Sequence, residues 1–161
     1  MDNKEKTFIS AVVYVHNVED HIADFMKRLI AVLENNFEHS EIVCVNDAST
    51  DNSVNEIKSI KNDAQETAIT IVNLSHYHGL EIAMNAGDDI SIGDFILEID
   101  TTRQTWSDDV IMEVYRKVLE GYDIVSASPD NQVCSIGHTG TSLLQMKLCI
   151  LRHSVFSADA P

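Results

Sequence analysis

Residues able to do chemistry gather at 46–51, where Asn46, Asp47, Ala48, Ser49, Thr50 and Asp51 follow directly on the uninterrupted apolar run 42–45. A run of that kind reads as a strand buried on both faces. Carboxylate, amide and hydroxyl groups at its end can hydrogen-bond a polar small molecule. The same residue types also form turns and cap helices, so Thr50 or Asp51 could equally cap a helix over residues 52–61. Two further polar clusters end other strand-like runs: His16 and Asn17 after residues 8–15, and Asp100, Thr101 and Thr102 after residues 95–99.

The apolar spacing says how these clusters are positioned. Ile22, Phe25, Met26, Leu29, Ile30 and Leu33 recur at helical intervals, with Glu19, Asp20, Lys27, Arg28 and Glu34 mainly on the other face. Residues 52–61 turn Val54, Ile57 and Ile60 inward, and residues 79–90 do the same with Ile82, Ala83 and Ala86. A fourth helix follows Ser107, a credible N-cap, and carries Ile111, Val114, Tyr115, Val118 and Leu119 on one face. Strand-like runs at 8–15, 42–45, 68–74, 95–99 and 123–127 alternate with these helices. Residues 130–140 read as a loop, and residues 142–156 as a last helix or helix pair. Alternation of this kind, with right-handed crossovers, predicts an α/β three-layer sandwich around a mostly parallel sheet. Ligands of such sheets bind at the carboxyl ends of the strands, so the three polar clusters converge on one edge.

Composition narrows the partners. The chain has 161 residues, which suits one domain over residues 1–161. With 26 Asp and Glu against 11 Lys and Arg, its formal charge of −15 opposes nucleic acid and anionic membrane as partners. A diphosphate within about 4 Å of a carboxylate meets roughly 1 to 4 kcal/mol of repulsion, so such a ligand needs a metal or basic side chain beside it. Cys44, Cys134 and Cys149 form no CxxC pair, and Cys44 lies inside an apolar strand as a small core residue. The charged start of the chain and the lack of an apolar run near 20 residues point to the cytoplasm, with peripheral attachment at the inner face of the membrane also compatible.

The ordered motifs resemble glycosyltransferase family 2. Asn17 and Glu19 match its first-strand signature, and the stretch 45–51, VNDASTD, matches its V-D-D-G-S-T-D. Gly79, Ala83, Asn85, Ala86, Gly87, Gly93 and Asp94 fall on its G-x-x-x-A-x-N-A-G…G-D pattern, and Asp100 on the first acid of its D-x-D. The resemblance covers residues 8–127. It implies a GT-A fold with a Rossmann-like nucleotide-binding half, and transfer of a sugar from a nucleoside diphosphate sugar, UDP-sugar being preferred, to an acceptor hydroxyl. The acceptor would be a glycan or lipid-linked sugar in polysaccharide or glycolipid biosynthesis.

By the same resemblance Asp47 accepts a hydrogen bond from the base, Asn17 and Glu19 shape that pocket, and Asp100 sits by the ribose and diphosphate. A divalent cation, Mg²⁺ or Mn²⁺, would neutralise the diphosphate. Thr102 stands where the family has its second acid, so Asp100 with Glu98, two residues apart on one strand face, is the candidate metal pair. Asn46 and Ala48 replace an acid and a glycine. His76-Tyr77-His78 replaces the usual Arg-Asn-x before Gly79, which puts His76, His78 and Gly79 near the diphosphate and sugar. In this family the acceptor-binding half, with the catalytic base, follows the nucleotide half, and most of it has no counterpart here, so the catalytic residue is unassigned. A non-catalytic nucleotide-sugar-binding or regulatory module, or a fragment inactive by itself, is the alternative; a homo-oligomer is compatible with either.

Overall fold

Each strand in the parallel middle of the sheet is built on an apolar run, residues 11–15 in β1, 42–45 in β2 and 95–97 in β4. The computed structural model describes residues 4–103, 107–127, 133–136 and 148–152. In chain order these form β1 (Glu5–Val15), α1 (Ile22–Asn36), β2 (Phe37–Asn46), α2 (Ser53–Ile60), β3 (Ala68–Asn73) and α3 (Leu80–Asp88). There follow β4 (Phe95–Ile99), α4 (Asp109–Leu119), β5 (Ile124–Ala127), β6 (Val133–Ile136) and β7 (Leu148–Arg152). The sheet order is β3-β2-β1-β4-β7-β5-β6. Strands β3, β2, β1 and β4 are mutually parallel, whereas β7 lies antiparallel between β4 and β5, and β6 is antiparallel to β5.

The α/β sandwich expected from the alternation is therefore present, with two differences at its far end. Residues 148–152, read as part of a helix, are strand β7, and residues 133–136, read as loop, are strand β6. A short apolar run such as 148–151 fits a helix turn or a doubly covered strand equally well by period, and the open edges of β4 and β5 decide for the strand. The remaining parts of those two readings lie outside the described residues.

The strand alternation sorts the core into two faces. Ile9, Ala11, Val13 and Val15 of β1 face α1, α2 and α4 together with Ile42 and Cys44. All six apolar positions expected of α1 are buried there. Cys44 is the core residue expected, fully buried with its thiol 3.8 Å from the Met26 sulfur, and burial pushes that thiol up to about 12. Val12, Val43, Val45 and Ile96 face the single helix α3 through Ala83 and Met84. Here the expected helix face is rotated: Ile82 is 53% exposed, and the buried positions are Ala83, Met84 and Gly87. The cause is Gly87, where a Cβ would sit 2.3 Å from Val12 Cγ1 and 2.9 Å from Val45 Cγ2, so α3 rests its backbone on the sheet at that point.

Gly93 and Asp94 also serve the scaffold. A Cβ on Gly93 would come within 2.7 Å of the Ser10 backbone nitrogen, and Asp94 Oδ2 accepts from the Phe8 N–H at 3.0 Å. Both lie before β4, at the sheet edge opposite the polar clusters.

Candidate functional site

At the carboxyl edge the loops after β1 and β2 are sewn to each other. Asn17, with φ 52°, adopts the left-handed conformation that asparagine tolerates, and its side-chain oxygen accepts from the Thr50 N–H at 2.8 Å. The Asn17 N–H donates to Ser49 Oγ at 3.1 Å, and the Val18 N–H to Ser53 Oγ at 2.9 Å. Glu19 accepts from the Asn52 N–H at 2.6 Å, while its own N–H donates to Asp51 at 3.0 Å. Asp51 also accepts from the Ser53 N–H and hydroxyl, one residue before the α2 N-cap, which is Asn52 and makes no side-chain capping bond. Burial acts to raise the Asp51 pKa, but these donors together hold it below the usual carboxylate range.

Asp47 ties the second loop to a third. It is fully buried, and its carboxylate accepts from the His78 N–H at 2.8 Å, the Gly79 N–H at 2.8 Å and the Tyr14 hydroxyl at 3.1 Å. Burial again works to raise the pKa of Asp47, and the two backbone donors and Tyr14 outweigh it, holding the group lowered. Tyr14 is driven up, first by burial and then by its bond to Asp47. His16 Nδ1 lies 2.7 Å from the Asp47 carbonyl oxygen, and its ring stands 4.8 Å from that of Tyr77. The rings of His76 and His78 are 3.9 Å apart. His76, Tyr77, His78 and Gly79 thus form a wall that Asp47 holds from beneath.

Asp100 enters from β4. Together with Tyr14, His16, Val18, His21, Thr101, Thr102 and Arg103 it lines a recess of about 130 Å³. A larger recess of about 390 Å³ adjoins it through His21, Thr102 and Arg103, and reaches Asp20, Asp24, Phe25 and Arg28. Thr102 is buried, and its hydroxyl lies 2.8 Å from His21 Nε2. Glu98, the other expected metal ligand, is hydrogen-bonded to Asp88; burial first, then the charge of Asp88, that bond and the charge of Asp100 raise its pKa to about 7. Among the described residues no group of three His, Cys, Asp or Glu side chains is placed to hold a metal ion.

The structure therefore brings Asn17, Glu19, Asp47, Asp100, His76, His78 and Gly79 to one edge, with Glu98 one step inside it. Three lining residues escape a reading based on polar clusters. Tyr14 hides within an apolar strand, although it lies on the same strand face as Val12; His21 and Arg103 are single polar residues whose neighbourhood only the fold creates.

Comparison with known proteins gives this edge a context. The family described as glycosyl transferase family 2 matches residues 10–152. A protein named as an uncharacterized glycosyltransferase from Synechocystis sp. is 37% identical over 120 residues, covering 74% of this chain and 37% of that protein. An undecaprenyl-phosphate 4-deoxy-4-formamido-L-arabinose transferase from Shewanella sediminis is 30% identical over 123 residues, covering 76% of this chain and 37% of that protein. The chain thus spans little more than a third of the length of these relatives. Among solved structures, a mannosyltransferase from Pyrobaculum calidifontis in complex with GDP-Man and Mn²⁺ superposes with a TM-score of 0.71 at 15% identity, over 94% of this chain and 46% of that one. S. aureus TarS in complex with UDP-GlcNAc gives 0.62 at 17% identity, over 86% of this chain and 37% of that one. These structures share the fold, which is the GT-A fold of glycosyltransferases. With the family matched across most of its length, the chain belongs to glycosyl transferase family 2.

Proposed function

We propose that this chain is the donor-binding part of a glycosyltransferase that moves a sugar from a nucleoside diphosphate sugar to an acceptor hydroxyl in polysaccharide or glycolipid biosynthesis. The observation that carries the reading is the convergence of Tyr14, His16, Asp100, Thr101 and Thr102 on one recess at the carboxyl edge of β1 and β4. Family membership, the transferase names of the relatives, and the nucleotide sugars in the related crystals support it. A UDP-sugar is the preferred donor. The acceptor is a glycan or a lipid-linked sugar. No helix among the described residues is long and apolar enough to cross a membrane.

The roles divide by geometry. Asn17, Glu19 and Asp47 serve the nucleotide indirectly, because their polar atoms hold the loops that surround the base. Asp100 faces the recess and lies nearest the ribose and diphosphate. His76, His78 and Gly79 stand on the wall that Asp47 supports, where the imidazoles supply donors to phosphate or sugar.

A divalent cation fits only as a shared ligand. One carboxylate from Asp100 is enough for Mg²⁺ or Mn²⁺ when diphosphate oxygens and water complete the shell, whereas Glu98 is engaged with Asp88 and Thr102 with His21. Such an ion would neutralise the leaving diphosphate. Calorimetric titration with UDP, GDP and dTDP, each with and without Mn²⁺, tests the proposal. Binding of at least one nucleotide is expected, and no binding of any under either condition would refute it.

A further inference from the structure

The three segments that meet on the β2 side of the edge, residues 13–26, 46–57 and 73–93, hold no lysine or arginine. In a chain with a formal charge of −15, an anionic donor finds only imidazoles for side-chain positive charge in those segments. The imidazoles are not equivalent. His16 donates from Nδ1 to the Asp47 carbonyl oxygen at 2.7 Å, since a carbonyl only accepts. Its Nε2 lies 3.3 Å from Asn17 Nδ2, and that amide is oriented by its oxygen, which accepts from the Thr50 N–H. Nε2 therefore accepts, and His16 is held as a neutral ring.

His76 and His78 differ from it. His78 also donates from Nδ1 to a carbonyl, that of His76 at 2.6 Å, but neither its Nε2 nor that of His76 is hydrogen-bonded among the described residues. The two rings lie 3.9 Å apart and 30° from parallel, His76 is exposed and the His78 side chain is 26% exposed, so both are open to solvent and ligand. Two imidazoliums at that separation repel, so the pair holds at most one added proton. We propose that His76 and His78 form a proton-dependent anion contact, in which the stacked pair takes up a proton as the nucleoside diphosphate sugar binds. The inference rests on the donor-site reading above.

The sign follows from what changes on binding. Asp47 Oδ1, 3.8 Å from His78 Nδ1, is the carboxylate that faces the pair. Tyr14 is bonded to Asp47, Tyr77 stands between the two histidines with its ring against His16, and Glu81 follows in the first turn of α3. All of these groups are present with or without a ligand, so they set no difference between the two states. The negative charge of the donor is added only in the bound state, and within a Debye length of about 8 Å it favours the imidazolium. The bound pair therefore holds more proton than the free pair. Affinity rises as pH falls through the bound value and levels off below the free one. The proton comes from the buffer and joins a ring Nε2, and no bond of the donor is broken.

Calorimetric titration with UDP-glucose and GDP-mannose tests this, because the diphosphate charge of these donors does not change over the range used. With Mg²⁺ present, affinity should be about tenfold higher at about pH 6 than at about pH 8.5. Titrations at about pH 7 in HEPES and in Tris, which differ in ionisation enthalpy, should show uptake of up to one proton. His76 is exposed, so His76→Arg leaves the fold intact and puts a permanent cation beside His78. Its affinity should stay constant within about twofold over that range, with no proton uptake. Replacing both rings, H76Q with H78Q, should weaken binding at about pH 6 and remove the pH dependence. Nitrogen-15 NMR should show His16 neutral and Nδ1-protonated with and without donor at about pH 7. A parent whose affinity ignores pH and that takes up no proton, a His76→Arg chain with the parent's pH dependence, or a His16 ring that becomes protonated on donor binding would each overturn the proposal. A parent that binds neither donor at any pH overturns the donor reading as well, whereas binding without proton uptake overturns this inference alone.

Discussion

Asp47 illustrates how one carboxylate can belong to a site without facing it. With no exposure and three donors from its own chain, it holds residues 78 and 79 against β1. Asp47→Ala leaves two backbone N–H groups unpaired at about 1 to 3 kcal/mol each, so a loss of about 3 kcal/mol is expected in urea unfolding. A change under about 1 kcal/mol would show that the bonds are dispensable. Because its pKa is lowered in the folded chain, this stabilisation is complete above the unfolded value near 3.9 and is lost as pH falls through the folded value. Glu98 has the opposite sign. Its folded pKa is raised to about 7 while an unfolded glutamate titrates near 4.3, so between those values the folded chain keeps a proton that the unfolded chain gives up. Stability therefore falls as pH rises through that window. Glu98→Gln removes the cost: at about pH 8 it should be more stable than the parent by about 2 kcal/mol, allowing for partial solvent access, with the difference gone below about pH 4. Thermal unfolding at several pH values checks this.

At the scale of elements, two small residues show how closely the site loops and their helices are fitted. Gly87→Ala should gain about 1 kcal/mol of helix propensity in α3 but drive a methyl into Val12 and Val45, at a larger overpacking cost of up to about 3 kcal/mol. A net loss near 1 to 2 kcal/mol is expected, and Val12→Ala in the same chain should recover part of it. Ala48 runs the other way. It holds φ 53° in the turn after β2, which costs an L-residue about 1 to 2 kcal/mol. Glycine would relieve that strain and give back part of the gain as unfolded-state entropy, so Ala48→Gly should stabilise by about 0.5 to 1 kcal/mol. A lower melting temperature for this variant would contradict the strain argument.

For the whole molecule, charge dominates. A formal charge of −15 repels a nucleoside diphosphate, and a single carboxylate at the recess holds a bare cation poorly. Mn²⁺ and UDP should therefore bind cooperatively, each tightening the other by about tenfold, a coupling of about 1.4 kcal/mol. Asp100→Asn should abolish the coupling. Calorimetry in either order of addition measures it, and nucleotide affinity that is the same in chelator as in Mn²⁺ would contradict it.

The order of strands and helices through α4, the parallel sheet and the polar edge at 16–17, 46–51 and 100–102 were legible because each rests on local pattern: unbroken apolar runs bury β1 and β2 on both faces, and the 3.6-residue repeat buries one face of α1. The family motifs were legible as well, since they lie in short contiguous runs. The tertiary structure alone decided the rest. Residues 148–152 became a strand because β4 and β5 offer unpaired backbone, a demand that no local period encodes. Ile82 turned outward because Gly87 brings α3 onto the sheet. Asp47 and Glu98 looked alike in sequence as acids near strand ends, but backbone donors lower one and a second acid raises the other. His21 and Thr102, 81 residues apart, became partners only when α1 and the end of β4 were set side by side. Chain connectivity places residues along a line, and hydrogen-bond partners and local charge are set by neighbours across it.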